Sequence, residues 1–393
     1  MARPASPWSQ LSPSSRRVAL EVLLHGPLAR AEIATRLDLS APSLTRLTKP
    51  LLDARLLHEV ADAGQRAAGG RPLQPLDIQA DVQRFIGIKL AGFRAYGVLT
   101  NLRAEIIASD VTEIGDQSPT AVVAKLEELA KKLSHDAADQ VAAVGVALGG
   151  AVRGFSHVER APFLHWRDVP LGGLAEATLK LPTVLTNDVD ALMEAEHWFG
   201  DGRDVQNFAT LTIGAGVGGG LVVHDRLVTG PDSGLGLLGH FPLDPLGPAC
   251  PEGHRGCADA LLSTEAIQVQ AALALGRPVT YDQVMDLAQA GDPVAEQLVG
   301  RSAHAFGLLI AAVANIAQPE RIILTGEGIR LAHVGERQLR SALAQARVPE
   351  ASPLDLRVLE DDPDLWARGA AAVAIQRTVL AHLPDHRAMT VSR

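Results

Sequence analysis

The sequence predicts an α/β fold of two related lobes behind an N-terminal winged helix-turn-helix. Three observations carry that expectation. Residues 15–54 hold three short helical patterns with start and stop signals between them. Residues 84–109 alternate strand runs with turns, and residues 207–228 repeat that plan. Each of these meanders is followed by helical stretches and a further strand, the order of an α/β lobe. At about 150 residues per domain, 393 residues make two or three domains. The expected boundaries are a head at 1–80, a first lobe at 81–197 and a second lobe at 198–393. The C-terminal helix is expected to return to the first lobe.

In the head, Val18, Leu20, Val22, Leu23 and Leu24 fall at helical spacing, and Gly26-Pro27 stops the run. A second helix fits Arg30 to Leu37, with Ile33 and Leu37 four apart. Asp38-Leu39-Ser40 turns the chain. Ser40 suits an N-cap, and Pro42 sits in the first turn, where a missing N–H is harmless. The third helix runs from about Ala41 to Ala54 with Leu44, Leu47, Leu51 and Leu52 inward. Its outward face shows Ser43, Thr45, Arg46 and Lys49, side chains that reach base edges and phosphates in a major groove. Leu56 to Val60 and Leu73 to Ile78 read as the strands of a wing. Between them Gly70-Arg71-Pro72 offers Arg71 to a narrow minor groove.

In the body, Phe85 to Leu90, Ala95 to Leu99 and Ala104 to Ala108 form the first meander. A helix at about 119–134 and the strand Val141 to Val146 follow. Phe208 to Ile213 and Gly219 to Val223 repeat the plan, followed by helices through 258–317 and the strand Arg321 to Leu324. The cluster Gly214-x-Gly-x-Gly-Gly-Gly lies between strands and opens no helix, so it is not a dinucleotide fingerprint. It serves either a tight hairpin or the approach of backbone N–H groups to a phosphate. Asn187-Asp188 ends a strand and opens a helix. Asp188 there is either a helix cap or a carboxylate facing a ligand.

Composition narrows the function classes. Apolar residues make up 47%, enough for sizeable cores. The apolar runs read as too short to span a membrane, and no basic-then-apolar leader opens the chain. Those features predict a cytoplasmic protein with no membrane partner. The net charge is −9 but uneven: residues 1–80 carry +3 and the remainder −12. A mildly basic head on an acidic body fits a DNA-binding module joined to a ligand-binding one.

Both cysteines fall within Cys250-Pro-Glu-Gly-His-Arg-Gly-Cys257, ten residues after Gly239-His240. Two thiols and a histidine so spaced suggest a metal clip, and tetrahedral zinc requires four ligands. His240, Cys250 and Cys257 supply three, and Glu252 or His254 must supply the fourth. The alternative is a pair of buried thiols beside a glycine loop.

Together these residues resemble the ROK family of repressors and sugar kinases, which share an actin-like, hexokinase-type fold. The resemblance covers nearly the whole chain. It rests on Leu211-Thr-Ile-Gly-Ala-Gly-Val-Gly-Gly-Gly220, Gly239-His240, Cys250-x-x-Gly-x-x-Gly-Cys257, Thr186-Asn-Asp188 and Asn315 to Gly328. With the winged head, the chain looks like the repressor branch. That resemblance implies a homodimer, or a higher even oligomer, that binds operator DNA and is tuned by a sugar or sugar derivative. It also implies ligand-binding roles for Asn187, Asp188, His240 and Asp259.

Departures from the family pattern refine this. The kinases' first phosphate loop reads Asp-x-Gly-Gly-Thr, whereas this chain has Lys89-Leu-Ala91-Gly-Phe93. A cation does not hold Mg²⁺, and phenylalanine replaces a hydroxyl that would meet phosphate. No kinase activity is expected, although Asp188 matches the family's catalytic base. The family's Glu-x-Gly-His is Leu237-Leu-Gly-His240, an Asn has become Phe163 while Trp166 stays, and a Glu has become Asp259. In the zinc motif Cys-x-Cys-Gly-x-x-Gly-Cys, the middle cysteine is Glu252, the expected fourth ligand. The leading expectation is therefore a repressor that responds to a sugar derivative. The competing ones are an ATP-dependent sugar kinase with a DNA-binding head, and a ligand-independent repressor whose body only dimerises.

Overall fold

The computed structural model describes residues 7–60, 74–135 and 137–381. The expected wing tip, including Arg71, lies outside these residues. The chain divides into two compact units. One holds the residues up to Arg203 together with those from Trp366 onward, and the other holds Asp204–Leu365.

The first unit begins with three helices, α1 (Pro13–His25), α2 (Arg30–Arg36) and α3 (Ala41–Asp53). Ser12 and Ser40 cap α1 and α3 by accepting the N–H groups of Ser15 and Ser43, and each helix has proline in its first turn. Strands β1 (Leu57–Glu59) and β2 (Leu76–Ile78) then pair antiparallel. The head's core of Val18, Ile33, Leu44 and Leu51 runs on into the lobe. Trp8, Val22, Leu51 and Leu76 belong to one buried cluster with Phe85, Leu102 and Ile375. Polar contacts cross the same seam. Trp8 Nε1 donates to Gln83 Oε1 at 2.8 Å, and Arg16 donates to the Ala381 carbonyl. The Arg103 guanidinium pairs with Asp77 and reaches the Val22 and Gly26 carbonyls, both at 3.3 Å. The residues of the expected head at 1–80 thus share a buried cluster and polar contacts with the first lobe.

The lobe is built on β3 (Arg84–Ala91), β4 (Arg94–Thr100), β5 (Ile106–Glu113), β6 (Val141–Leu148) and, later in the chain, β10 (Thr183–Asn187). Their order is β10-β6-β3-β4-β5, parallel across the first three and antiparallel beyond. A smaller sheet joins β7 (Ala151–Arg153), β8 (His157–Ala161) and β9 (Trp166–Val169). Helices α4 (Pro119–Leu133), α5 (Leu171–Leu179) and α6 (Asp188–Phe199) pack around them.

Helix α13 (Pro363–Leu380) completes this unit from the far end of the chain. Gly87 and Gly145 lie opposite each other on β3 and β6 and together form a trough in the sheet. A Cβ on Gly87 would stand 2.0 Å from the Ala367 carbonyl oxygen, and one on Gly145 would stand 1.9 Å from that of Ala370. The run Gly369-Ala-Ala-Ala-Val-Ala374 lets the helix backbone settle into that trough.

The second unit pairs β11 (Phe208–Ile213) with β12 (Val217–Val222) as a hairpin, then adds β13 (Arg321–Thr325) and β14 (Asp355–Val358) in parallel on the other side. The repeated meander is therefore only a hairpin here. After Val222 the chain makes a single bridge to Leu227 and then enters Thr229-Gly-Pro-Asp-Ser-Gly, a composition that turns instead of extending. Helices α7 (Ala258–Leu262), α8 (Thr264–Leu275), α9 (Tyr281–Gln289), α10 (Pro293–Ala317), α11 (Arg330–Val334) and α12 (Glu336–Gln345) surround this sheet. The 25-residue α10 is long and apolar enough to cross a bilayer, with mean hydropathy 1.3, which corrects the expectation that every apolar run is too short. Here Val299, Phe306 and Ile310 bury it in the unit's core.

Candidate functional site

Three groups of residues carry the chemistry. The first is the outward face of α3. Thr45, Arg46 and Lys49 are exposed, and neither cation forms an ion pair with a described residue. Thr45 Oγ1 donates to the Ala41 carbonyl at 3.0 Å, as helical threonines commonly do. Ser43 is half-buried, and its hydroxyl lies 2.9 Å from the Ser40 hydroxyl inside the cap. Of the four expected reading residues, then, Ser43 is already committed to the helix start, and Arg46 and Lys49 are the reaching ones.

The second group surrounds Asp188. Asn187 is the N-cap of α6: its Oδ1 accepts the Val189 and Asp190 N–H groups at 2.9 and 3.2 Å. Its Nδ2 donates to the Gly150 carbonyl at 3.0 Å, so both ends of the amide are used. Asp188 is released from capping. One oxygen accepts its neighbour's N–H at 3.0 Å, and the other pairs with the Lys89 ammonium. Both side chains are largely buried, at 14% and 15% exposure, and Lys89 Nζ lies 4.8 Å from the centroid of the Trp366 ring. Thus Lys89 neutralises the Asp188 carboxylate. Sequence reasoning found both residues and missed their pairing. The available signal was a lone cation inside an apolar strand, which requires a buried partner.

Around this pair, Phe93 is 68% and Phe163 53% exposed, on loops tied together by Gln117, whose Nε2 donates to the Gly92 and Phe163 carbonyls. Trp166 is buried, its Nε1 donating to the Gln117 carbonyl at 2.7 Å, which is a packing role. Asp190, next in the first turn of α6, is pushed up to about 6, first by burial and then by the charges of Glu194 and Asp188.

The third group lies in the second unit. The ligand atoms of His240, Cys250 and Cys257 all lie within 4.8 Å of one another, and both cysteines are buried and unbridged. His240 Nδ1 is 3.8 Å from Cys250 Sγ. Burial, reinforced by the adjacent Cys250 thiol, pushes the Cys257 thiol above its ordinary value. A tetrahedral zinc with Zn–S of about 2.3 Å and Zn–N of about 2.0–2.1 Å sets its sulfur and nitrogen ligands about 3.5 Å apart, so this donor set fits zinc. Neither Glu252 nor His254 belongs to the mutual group. Glu252 is exposed on the turn, whereas His254 Nδ1 comes within 3.7 Å of Cys250 Sγ. The expectation of Glu252 as fourth ligand receives no support from this geometry.

Asp259, in the first turn of α7, accepts the Val217 N–H at 2.7 Å and fills the space below Gly239, where a Cβ would meet it at 2.6 Å. Burial raises its pKa, opposed by that hydrogen bond and by His240. Leu237, at the position of the expected sugar-binding glutamate, is 62% exposed. The glycine cluster has a packing explanation: a Cβ on Gly219 would strike Leu238 at 2.6 Å and the Thr210 carbonyl at 2.9 Å. Glycine there lets the turn carrying His240 lie flat against the hairpin.

Comparison with known proteins agrees with this picture. The chain is 25% identical over 323 residues to the DNA-binding transcriptional repressor Mlc of Escherichia coli K12, spanning 76% of this chain and 77% of that protein. It is 22% identical over 369 residues to the xylose repressor of Bacillus spizizenii, spanning 93% and 94%. The crystal structure of a ROK family transcriptional regulator, a homolog of E. coli Mlc, superposes with a TM-score of 0.78 at 25% identity, covering 94% of this chain and 96% of that one. Residues 85–377 match the sequence profile of the ROK family. That span holds the paired Lys89 and Asp188, the Cys250–Cys257 loop and the helix that closes the first lobe, and the chain belongs to the ROK family.

Proposed function

We propose that this protein is a DNA-binding transcriptional repressor whose α3 enters the major groove as the recognition helix of a winged helix-turn-helix. The observation that carries the reading is the capped α3, which presents Arg46 and Lys49 outward with no described ion-pair partner. Arg30 and Arg36, on α2, are engaged instead: Arg30 pairs with Glu59, and Arg36 with Glu21 and Glu32. The named repressor activities of the relatives support it. A homodimer on a palindrome would place two such helices about 34 Å apart, and Arg71 would add a minor-groove contact. The bacterial repressors it resembles support a cytoplasmic location.

The body is read as a sensor of a sugar derivative that does not transfer phosphate. Lys89, Ala91 and Phe93 replace the kinase loop, and Asp188 is already paired. Asn187 and Asp259 are committed to backbone partners and Asp188 to Lys89, so an effector reaching Asp188 in the first unit would have to displace that lysine. Zinc is read as a structural ion on His240, Cys250 and Cys257.

Fluorescence anisotropy on operator fragments selected from random DNA tests the reading. Arg46→Ala should weaken binding about 10- to 100-fold and relax preference at one base position. Unaltered affinity and preference would remove α3 as the reading element.

A further inference from the structure

We propose that His254 is the fourth ligand of the zinc site, so that the ion is held by two cysteines and two histidines. The proposal rests on the zinc reading above and specifies its donor set. It comes from the turn that carries the first cysteine. The Cys250 N–H donates to the His254 carbonyl at 2.8 Å, and the Gly253 N–H donates to the Cys250 carbonyl at 2.9 Å. Ala249 and Arg255 bridge just outside. Residues 250–254 therefore make a tight hairpin, and Glu252 stands at its tip, exposed. Gly253 adopts φ +88°, which reverses the chain immediately after Glu252 and brings His254 back beside Cys250.

The result is two imidazole nitrogens on one sulfur. His240 Nδ1 and His254 Nδ1 lie 3.8 and 3.7 Å from Cys250 Sγ. Their rings are 4.6 Å apart and tilted by 55°, an approach that is not a parallel stack. Both distances are within a few tenths of an ångström of the sulfur–nitrogen edge of a zinc tetrahedron, about 3.5 Å. Cys257 closes the group from the buried side. His254 is exposed, so its ring is free to swing onto the fourth position and cap the ion against solvent. The site thus recovers a nitrogen donor two residues downstream of the expected ligand at position 252.

Zinc content and affinity decide this on the full-length protein purified without a metal-affinity tag. Zinc is measured by elemental analysis, and its affinity by competition with a chromophoric chelator. Cobalt(II) serves as a spectroscopic probe of the same position. Wild type should carry about one zinc per chain. His254→Ala should weaken zinc at least about 30-fold and alter the cobalt ligand-field bands, whereas Glu252→Ala should change affinity less than about 3-fold. His254→Cys should restore tight binding with a stronger thiolate-to-cobalt absorption. Both positions are exposed, so the variants should retain the wild-type circular dichroism. A loss confined to Glu252→Ala would overturn the proposal in favour of the carboxylate. Full retention in both alanine variants would overturn it in favour of solvent as fourth ligand. Wild type devoid of zinc and unable to take up cobalt would remove the zinc reading itself.

Discussion

Replacing Lys89 by methionine tests whether Asp188 is held as a neutralised pair. At an effective dielectric of about 20, opposite charges about 3 Å apart attract by roughly 5–6 kcal/mol. Desolvation cancels much of this, because both side chains are about six-sevenths buried. The Trp366 face adds about 0.5–2 kcal/mol to the lysine's stability in place. Lys89→Met leaves the Asp188 carboxylate near Asp190 with no cation, and should destabilise the first unit by about 2–4 kcal/mol. Asp188→Asn leaves the ammonium on its tryptophan and also relieves Asp190, so about 1–2 kcal/mol is expected. The double variant should resemble Asp188→Asn, giving a coupling of about 2–4 kcal/mol, the whole of the Lys89→Met cost. Urea titration followed by tryptophan fluorescence and by circular dichroism reads these values, provided the m-values stay constant. A coupling below about 0.5 kcal/mol would show that the pair contributes little and that Asp188 remains an available base.

Two further variants examine the same unit. Gly145→Ala should destabilise by more than about 3 kcal/mol, because its Cβ would strike the Ala370 backbone, while Gly97→Ala should cost only about 1 kcal/mol, since it meets the movable ends of Leu129 and Leu133; equal Tm losses would refute the trough. Asp190 has a folded pKa of about 6 against about 3.9 unfolded, so folding favours its protonated form; the penalty sets in as pH rises through that interval and is complete above it, at about 3 kcal/mol. Asp190→Asn should therefore stabilise the protein at pH 7.5 by about 1–3 kcal/mol and have almost no effect at pH 4; the same gain at both pH values would show that charge is not the cause.

Much of the head could be read from sequence because its signals are local. Ser40, Pro42 and the leucine spacing of α3 lie within one segment, and the helix follows them. The runs of β3, β4, β6, β10, β11, β12 and β13 were legible for the same reason; β5 continues to Glu113 through Ser109 and Asp110 at the sheet edge, where polar side chains face water, and the short β7, β8, β9 and β14 were not anticipated. The partners were not legible. Lys89 and Asp188 are 99 residues apart and meet only through the register of β3, β6 and β10. The choice between Glu252 and His254 turns on one backbone dihedral at Gly253, which spacing does not encode.

The route of the chain through α13 has a consequence for its synthesis. The second unit is a single uninterrupted stretch and has all its strands and helices once Leu365 is made. The first is interrupted by it. Its trough at Gly87 and Gly145, and the core shared by Trp8, Phe85 and Ile375, stay open until the final helix leaves the ribosome. The part of the protein made first is thus completed last. A chain released before about residue 380 would hold a finished second unit and an unfinished first one, its three N-terminal helices lacking the part of their core that α13 supplies.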